Sequence, residues 1–322
     1  MSDGPTIAVF RQKPHGLPTD GLVESLRERL STASVLRCAT SRDERTTIAD
    51  ADVVVGQSMT EDLLAEAENL SLFACSFAGY DHLPLSAFER RGVTVTNAAG
   101  VHASNAAEHA IGGLLALTRG LFDARRRQRN REWRNVRTDE LAGGGVTVVG
   151  MGAIGEAICE RLAPFDVDVT AVRHSPEKGG PADTVVGYDE VESAVIDAAA
   201  VVLACPLTDT TRHLLDRALL KTLHPDAIVV NVARGGVVDT DALVASLRAN
   251  HVGGAVLDVT DPEPLPTDHP LWTFENVLIT PHNAGYTPDY HERLANLVAE
   301  NVETAMASGE WTGLENQVLP KV

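Results

Sequence analysis

An apolar run that leads directly into a glycine-rich turn is the feature of this sequence that most constrains its fold. Val146–Val149 has the pattern of a buried strand, the turn reads Gly150-Met151-Gly152-Ala153-Ile154-Gly155, and Glu156–Leu162 has the pattern of a helix. In such a turn the first glycine permits the tight bend, the second lets a pyrophosphate approach the backbone, and the third lets the helix pack closely on the strand. Phosphates then bind the unpaired N–H groups at the helix N-terminus. The pattern predicts a dinucleotide-binding α/β unit, and the alternative is an ordinary glycine-rich turn.

Length and composition indicate two domains. The chain has 322 residues, 44% of them hydrophobic. Chains of this length normally form more than one hydrophobic core. Short Val/Ile/Ala runs alternate with longer polar-striped stretches, which favours an α/β fold with mostly parallel sheets. The first residues lack the basic and apolar regions of a targeting signal, and no apolar stretch is long enough to span a bilayer. We therefore expect a cytoplasmic protein that does not contact membranes.

Charge and cysteine content argue against several classes of partner. The net charge of −18 disfavours nucleic acid and anionic membranes, since both require a basic surface. The basic stretch Arg125–Arg131 is a local exception, which we interpret as a solvated helix face or a subunit contact. The cysteines have neither metal-ligand nor redox spacing, so we expect reduced core residues and no metal site. They are Cys38, Cys75, Cys159 and Cys205.

Lysine is scarce, and arginine supplies nearly all of the positive charge. The lysines are Lys13, Lys178, Lys221 and Lys321. An acidic, lysine-poor surface is typical of salt-adapted proteins, because concentrated salt screens the self-repulsion. A high-GC genome that encodes Arg, Ala and Asp for mutational reasons is the alternative explanation.

The order of predicted elements indicates that one domain is inserted in the other. Strands are predicted at Thr6–Phe10, Asp52–Gly56, Leu72–Ser76 and Val93–Asn97, and helices at Leu22–Leu30 and Ala106–Thr118. The last strand of the second α/β unit is Val277–Thr280, and the final helix, Arg293–Ala307, is expected to pack on the first domain. We predict two Rossmann-like, flavodoxin-like domains with parallel sheets. Residues 1–102 and 286–322 form the substrate-binding domain, residues 103–285 form the inserted dinucleotide-binding domain, and the site lies in the cleft between them.

The end of the second strand after the glycine turn indicates which dinucleotide binds. Asp168 lies near the distance at which an acidic residue usually holds a ribose hydroxyl, but Val169–Val172 continues the strand beyond it. The strand therefore ends at Arg173-His174-Ser175. An arginine there can pair with a 2′-phosphate, a serine can add a hydroxyl, and no acidic side chain repels the phosphate. The sequence favours NADP(H), with NAD(H) as the alternative.

Three further segments bring reactive side chains to strand ends, and with them the chain resembles a known family. Ile228–Asn231 leads to Arg234, Ala255–Val259 leads to a Pro-rich loop with Glu263, and Ile279 leads to Thr280-Pro281-His282. Together with the glycine turn, Cys205-Pro206-Leu207-Thr208 and Val238-Asp239, these segments resemble the D-isomer-specific 2-hydroxyacid dehydrogenases from about Leu72 to Asn301. The basic strand tip, the acidity and the few lysines make the chain most similar to the NADP-preferring haloarchaeal members.

The resemblance implies a role for individual residues. His282 would protonate the substrate carbonyl oxygen as hydride arrives, Glu263 would pair with His282, and Arg234 would bind the substrate carboxylate and carbonyl. Asp258 would lie near the nicotinamide, and the backbone N–H groups of Ala78 and Gly79 would also bind the carboxylate. The other cofactor contacts it implies are Ala153, Ile154, Cys205, Pro206, Thr211, Val232 and Ala233, beside Gly150, Gly152, Gly155, Arg173, His174 and Ser175.

Each of these residues also has a structural interpretation. His282 taken alone could be structural, Arg234 could belong to an ordinary ion pair, and Glu263 could be a solvated loop carboxylate beside Asp261. His102 and His109 are expected to be structural or to lie near the cleft.

The predicted function is the reversible, NADPH-dependent reduction of 2-oxo carboxylic acids to D-2-hydroxy acids by a homodimer, the dimer being implied by the resemblance. A glyoxylate/hydroxypyruvate reductase is the nearest alternative. A 3-phosphoglycerate dehydrogenase would be expected to carry a C-terminal extension, and formate dehydrogenases use a different partner for the histidine. A dinucleotide-sensing, corepressor-like binding protein is the non-enzymatic alternative.

Overall fold

The computed structural model of the chain, which describes residues 4–321, contains two mostly parallel sheets, each with helices on both faces. The chain divides into two units, one of Met1–Val101 with Thr287–Val322 and one of His102–Tyr286. The second unit is thus a continuous insertion in the sequence of the first. Within residues 4–321, no helix is both long and apolar enough to cross a membrane.

The first unit contains a six-stranded sheet with the order β13-β5-β4-β3-β1-β2. Its strands are β1 (Thr6–Val9), β2 (Ser34–Arg37), β3 (Val53–Gly56), β4 (Leu72–Cys75), β5 (Thr94–Thr96) and β13 (Gln317–Leu319). Its helices are α1 (Asp20–Arg29), α2 (Ser41–Ile48), α3 (Glu61–Ala65), α4 (Leu85–Arg90) and α11 (Tyr290–Ser308). All neighbouring strands are parallel except β13, which is antiparallel to β5. As predicted, the last long helix packs on the first unit, where α11 lies against α1.

The second unit contains a seven-stranded parallel sheet with the order β12-β11-β10-β9-β6-β7-β8. Its strands are β6 (Gly145–Val149), β7 (Asp168–Val172), β8 (Thr184–Val186), β9 (Ala198–Leu203), β10 (Ile228–Asn231), β11 (Gly254–Leu257) and β12 (Val277–Ile279). Its helices are α5 (Ala103–Thr118), α6 (Leu121–Arg129), α7 (Ala153–Leu162), α8 (Val191–Val195), α9 (Arg217–Thr222) and α10 (Thr240–Arg248). The strand order reverses between β6 and β9, and ligands of such sheets bind at the carboxyl ends of the strands at this reversal.

The central strands of the second unit are largely apolar because both faces of the sheet are covered. In β9, Val201 and Leu203 belong to one core cluster, whereas Ala200 and Val202 belong to the cluster on the other face. Successive side chains of a strand point to opposite faces, so a strand buried on both faces reads as a continuous apolar run.

Several element boundaries differ by one to three residues from the sequence prediction, and the largest differences are at helix starts. Helix α5 begins at Ala103 rather than Ala106, and α11 begins at Tyr290 rather than Arg293. At neither start does the residue before the helix cap it with a side-chain hydrogen bond.

Candidate active site

The glycine turn between β6 and α7 has the geometry that a bound pyrophosphate requires. Gly150 has φ +99°, and a Cβ there would lie 2.6 Å from Cys205 Cα, across the reversal of strand order. A Cβ on Gly155 would collide with the Gly150 carbonyl, so the third glycine lets the helix pack closely on its strand. A Cβ on Gly152 would meet nothing within 4 Å, so this side of the turn is open to a ligand. The backbone at these three glycines therefore leaves room for a ligand at the turn.

The N-terminus of α7 faces this turn with unpaired backbone donors. Gly152 is its N-cap residue and supplies no side-chain cap, so the N–H groups of Ala153, Ile154 and Gly155 have no capping acceptor from it. The helix dipole adds partial positive charge at the same place. These three residues could hold the phosphates of a bound dinucleotide.

A cavity of 380 Å³ adjoins the turn. Seven of the predicted cofactor residues line it: Gly150, Gly152, Arg173, His174, Ser175, Pro206 and Thr211. As predicted, Asp168 is the first residue of β7 and Arg173 follows its end, with the Arg173 guanidinium donating to the Gly179 carbonyl at 2.5 Å. Lys178 also lines the cavity and was not singled out from the sequence as a ligand residue. Two basic side chains, Arg173 and Lys178, thus line a cavity whose described lining includes no carboxylate.

Four other predicted cofactor residues are buried behind the strand ends: Cys205, Val232, Ala233 and Asp258. Burial raises the pKa of the Cys205 thiol to about 11, so Cys205 is uncharged at neutral pH, as packing against a cofactor would require. The remaining three lie at the ends of β10 and β11. All four cysteines are free and buried, as the sequence predicted.

His282 and Glu263 form a direct pair in the second unit. His282 Nδ1 lies 2.6 Å from Glu263 Oε1, and the side chains are 50% and 42% exposed. A carboxylate accepts hydrogen bonds, so Nδ1 carries the proton in this contact and Nε2 is left to face a ligand. Pro262 and Pro264 restrict the backbone on both sides of Glu263. The pair is therefore an exposed acid–base group with a fixed orientation.

The turn that carries His282 is built around the buried carboxylate of Asp258. Asp258 accepts hydrogen bonds from the N–H groups of Asn283 (2.7 Å) and Ala284 (2.9 Å) and from Thr280 Oγ1 (2.6 Å). The N–H of His282 donates to the Asp258 carbonyl at 2.8 Å. His282 itself has φ +52°, a left-handed conformation that costs a non-glycine residue about 1–2 kcal/mol. These hydrogen bonds hold the strained residue in place.

Arg234 is exposed and is held by its backbone. The buried Asn231 side chain accepts from the Ala233 N–H and donates to the Arg234 carbonyl, each at 3.0 Å. A Cβ on Gly235 would collide with the Thr260 carbonyl, so this backbone lies directly against the segment after β11. The guanidinium donates to the Ala233 carbonyl at 2.7 Å, and no carboxylate of residues 4–321 lies within ion-pair distance of it. Its remaining donors are available to an anion.

The predicted backbone donors Ala78 and Gly79 lie in the first unit, in the loop after β4. Asn97 Nδ2 donates to the Ala78 carbonyl at 2.6 Å, and the Ala98 N–H donates to the Phe77 carbonyl at 3.1 Å. Ala78 and Gly79 are both partly exposed. Hydrogen bonds to its carbonyl groups thus hold this loop in place.

Comparison with known proteins adds a family context to this geometry. Residues 111–284 match the profile of the D-isomer specific 2-hydroxyacid dehydrogenase NAD binding domain. The chain is 33% identical over 270 residues to a glyoxylate reductase of Thermofilum pendens, covering 81% of this chain and 79% of that protein. A D-isomer specific 2-hydroxyacid dehydrogenase family protein of Aeromonas salmonicida superimposes with TM-score 0.82 and 28% identity, over 98% of this chain and 99% of that one. A D-isomer specific 2-hydroxyacid dehydrogenase of Xanthobacter autotrophicus, in complex with NADPH and MES, superimposes with TM-score 0.80 and 26% identity, over 98% of both chains. The two-domain α/β fold predicted from the sequence is confirmed.

Proposed function

Because this chain belongs to the D-isomer specific 2-hydroxyacid dehydrogenase family of NAD(P)-dependent oxidoreductases, we propose that it reversibly reduces 2-oxo carboxylic acids to D-2-hydroxy acids with NADPH. The observation that carries the proposal is the 2.6 Å contact between His282 and Glu263. This contact lies in the same unit as the glycine turn and as an exposed arginine without an acidic partner among the described residues.

His282 is the general acid of the proposed reaction. When bound, reduced nicotinamide supplies a hydride to the carbonyl carbon. His282 gives the proton on Nε2 to the carbonyl oxygen, and Nδ1 stays bonded to Glu263, which fixes the ring. In the oxidative direction the same nitrogen takes the hydroxyl proton. Pairing with Glu263 therefore determines which nitrogen reacts.

Arg234 binds the carboxylate of the substrate in this proposal. A guanidinium presents parallel donors that match a carboxylate, and a charge close to the carbonyl oxygen stabilises the negative charge that develops there. Arg234 therefore orients the 2-oxo group relative to His282.

The preference for NADPH is supported by the cavity next to the glycine turn. Arg173 and Lys178 bring two positive charges to its wall, and Ser175 and His174 add hydrogen-bonding groups. A 2′-phosphate is dianionic near neutral pH and is stabilised by such a set, whereas the hydroxyl of NADH gains little from it.

Assays with both cofactors and a series of 2-oxo acids, from glyoxylate and hydroxypyruvate to branched-chain acids, test this function. We expect His282→Ala to lower kcat by about a thousandfold, because general acid catalysis contributes about 10²–10⁴-fold, while NADPH still binds. A His282→Ala variant with substantial turnover, or a wild-type protein that oxidises NADPH with none of these acids, would refute the proposal. The second outcome would favour a dinucleotide-sensing protein.

A glyoxylate/hydroxypyruvate reductase is the second candidate. The observation that favours it is the similarity to the glyoxylate reductase of Thermofilum pendens. A kcat/KM for glyoxylate or hydroxypyruvate above that for every larger acid would select it.

We also propose that the protein is a homodimer that uses the basic helix α6 and the segment after it. No residue of α6 is buried, Leu121 at its start is more than half exposed, and Trp133 is fully exposed. A large exposed aromatic side chain beside an exposed helix is typical of a surface that a partner covers.

A further inference from the structure

Helix α5 holds the turn that carries His282 through two side chains one helical turn apart. Asn105 Nδ2 donates to the carbonyls of Ala284 (2.7 Å) and Tyr286 (3.2 Å). His109 Nε2 lies 3.0 Å from Thr280 Oγ1. Residues four apart lie on the same face of a helix, so Asn105 and His109 contact both ends of the segment 280–286.

The direction of these hydrogen bonds fixes the protonation of one ring nitrogen of His109. Thr280 Oγ1 donates its single proton to Asp258 Oδ1 at 2.6 Å. It must therefore accept from His109, so His109 Nε2 carries a proton. Hydrogen-bond donation therefore runs from His109 through Thr280 to Asp258. The Asp258 carboxylate also accepts from the N–H of Asn283 at Oδ1 and from the N–H of Ala284 at Oδ2. His109 Nε2 is also only 3.6 Å from Asp258 Oδ1, close enough to form an ion pair when the ring is charged.

We propose that Asn105 and His109 are positioning residues for the proposed acid, His282, with His109 acting through Thr280 and Asp258. The hydrogen bonds of the turn converge on the Asp258 carboxylate. Asp258 is 2% exposed, so water cannot replace a hydrogen-bond donor that this carboxylate loses. Without the His109 donor, the Thr280 hydroxyl is free to rotate, and its bond to Asp258 weakens. His282, which is in a left-handed conformation, would then move from the position at which its Nε2 meets the carbonyl oxygen.

The test compares substitutions that differ in their ability to donate. His109→Phe keeps a ring of similar size and removes the N–H, whereas His109→Gln keeps an N–H donor at a similar distance from the backbone. Removing one such hydrogen bond changes an equilibrium by about tenfold, so we expect His109→Phe to lower kcat about tenfold. The Kd for NADPH and the KM for the 2-oxo acid should remain close to the wild-type values. His109→Gln should recover most of kcat, and Asn105→Ala should also lower it.

Two further comparisons separate positioning from general destabilisation. Thr280→Val should resemble His109→Phe, and the double variant should be no worse than either single one, because both break the same chain of hydrogen bonds. Thr118→Val is the matched control: it removes a hydrogen bond of α5 to its own Leu114 carbonyl and should leave kcat unchanged. The proposal would be overturned if the His109→Phe variant kept the wild-type kcat. It would also be overturned if His109→Phe and His109→Gln lowered kcat equally. If His109→Phe does not fold, Thr280→Val against Thr280→Ser makes the same comparison, and equal kcat values in that pair would overturn it.

This inference rests on the proposed function, because it takes His282 as the proton donor, and His282→Ala is therefore measured in parallel. An active His282→Ala variant refutes the proposed function. An inactive His282→Ala variant together with a fully active His109→Phe variant refutes only the positioning role.

Discussion

The contact between Glu263 and His282 allows the effect of replacing Glu263 by Gln to be worked out in advance. Hydrogen bonds to charged groups contribute about 1.5–3 kcal/mol. Here the two side chains are 50% and 42% exposed, so water screens the charge and the lower end applies. Glu263→Gln keeps an oxygen that can accept from Nδ1, and we expect a loss of about 1.4 kcal/mol, which is about tenfold in kcat. Glu263→Ala also removes the acceptor, and we expect a loss of about a hundredfold.

The measurement is steady-state kcat and KM, followed by the oxidation of the reduced cofactor with a 2-oxo acid. Because Arg234 is unchanged, KM for the acid should change less than kcat. Asp261→Asn is a matched control, since Asp261 is an exposed carboxylate on the same loop, and its kcat should stay within about twofold of the wild type. Wild-type kcat in both Glu263→Gln and Glu263→Ala would show that Glu263 is a solvated loop carboxylate, and the pairing would then have no catalytic consequence.

Three further predictions address other parts of the molecule. Arg173→Ala and Lys178→Ala should each raise the KM for NADPH about tenfold or more and change that for NADH little, and equal effects on the two cofactors would contradict a 2′-phosphate site. Trp133→Glu should convert a dimer to a monomer in light-scattering measurements, and an unchanged dimer mass would place the interface elsewhere. Burial lowers the pKa of His291, so the unfolded chain binds more protons there than the folded protein, and the free energy of unfolding should fall as the pH drops through the ordinary histidine range. This contribution is at most about 1.4 kcal/mol per pH unit, and urea unfolding of His291→Gln should lack it; equal pH dependence in variant and wild type would contradict it.

Local sequence predicted the strands and helices in which apolar residues follow a regular pattern. The strand β7 is an example, because Val169–Val172 could be recognised as a continuation beyond Asp168, and this continuation placed Arg173 at the strand end. The strands β8 and β13 were not predicted, since each has three residues, of which only two are apolar. The pairing of β13 with β5 joins Gln317 to Thr96, which is 221 residues earlier in the sequence (317 − 96), and leaves no local pattern.

The candidate site was predictable only in part, because its contacts join distant segments. His282 and Glu263 are 19 residues apart, and no periodicity relates them; only the resemblance to a family suggested the pair. Lys178 reaches the cavity because the chain turns at Gly179, which has φ +62°. The spacing of Asn105 and His109 on one helix face is visible in the sequence, but Thr280, the partner of His109, lies 171 residues away.

The hydrogen bonds from Asn105 to Ala284 and Tyr286 also tie the beginning of the second unit to its end. The first unit is complete only when α11 packs on α1 and β13 pairs with β5, contacts that join the two sequence segments on either side of the insertion. In an unfolded chain, these contacts would close a loop as long as the whole second unit, and the entropic cost of closure grows with loop length. A folded second unit with its ends joined replaces that loop by a short connection. We therefore expect the inserted second unit to fold first. Its folding should lower the entropic cost of bringing together the two segments of the first unit.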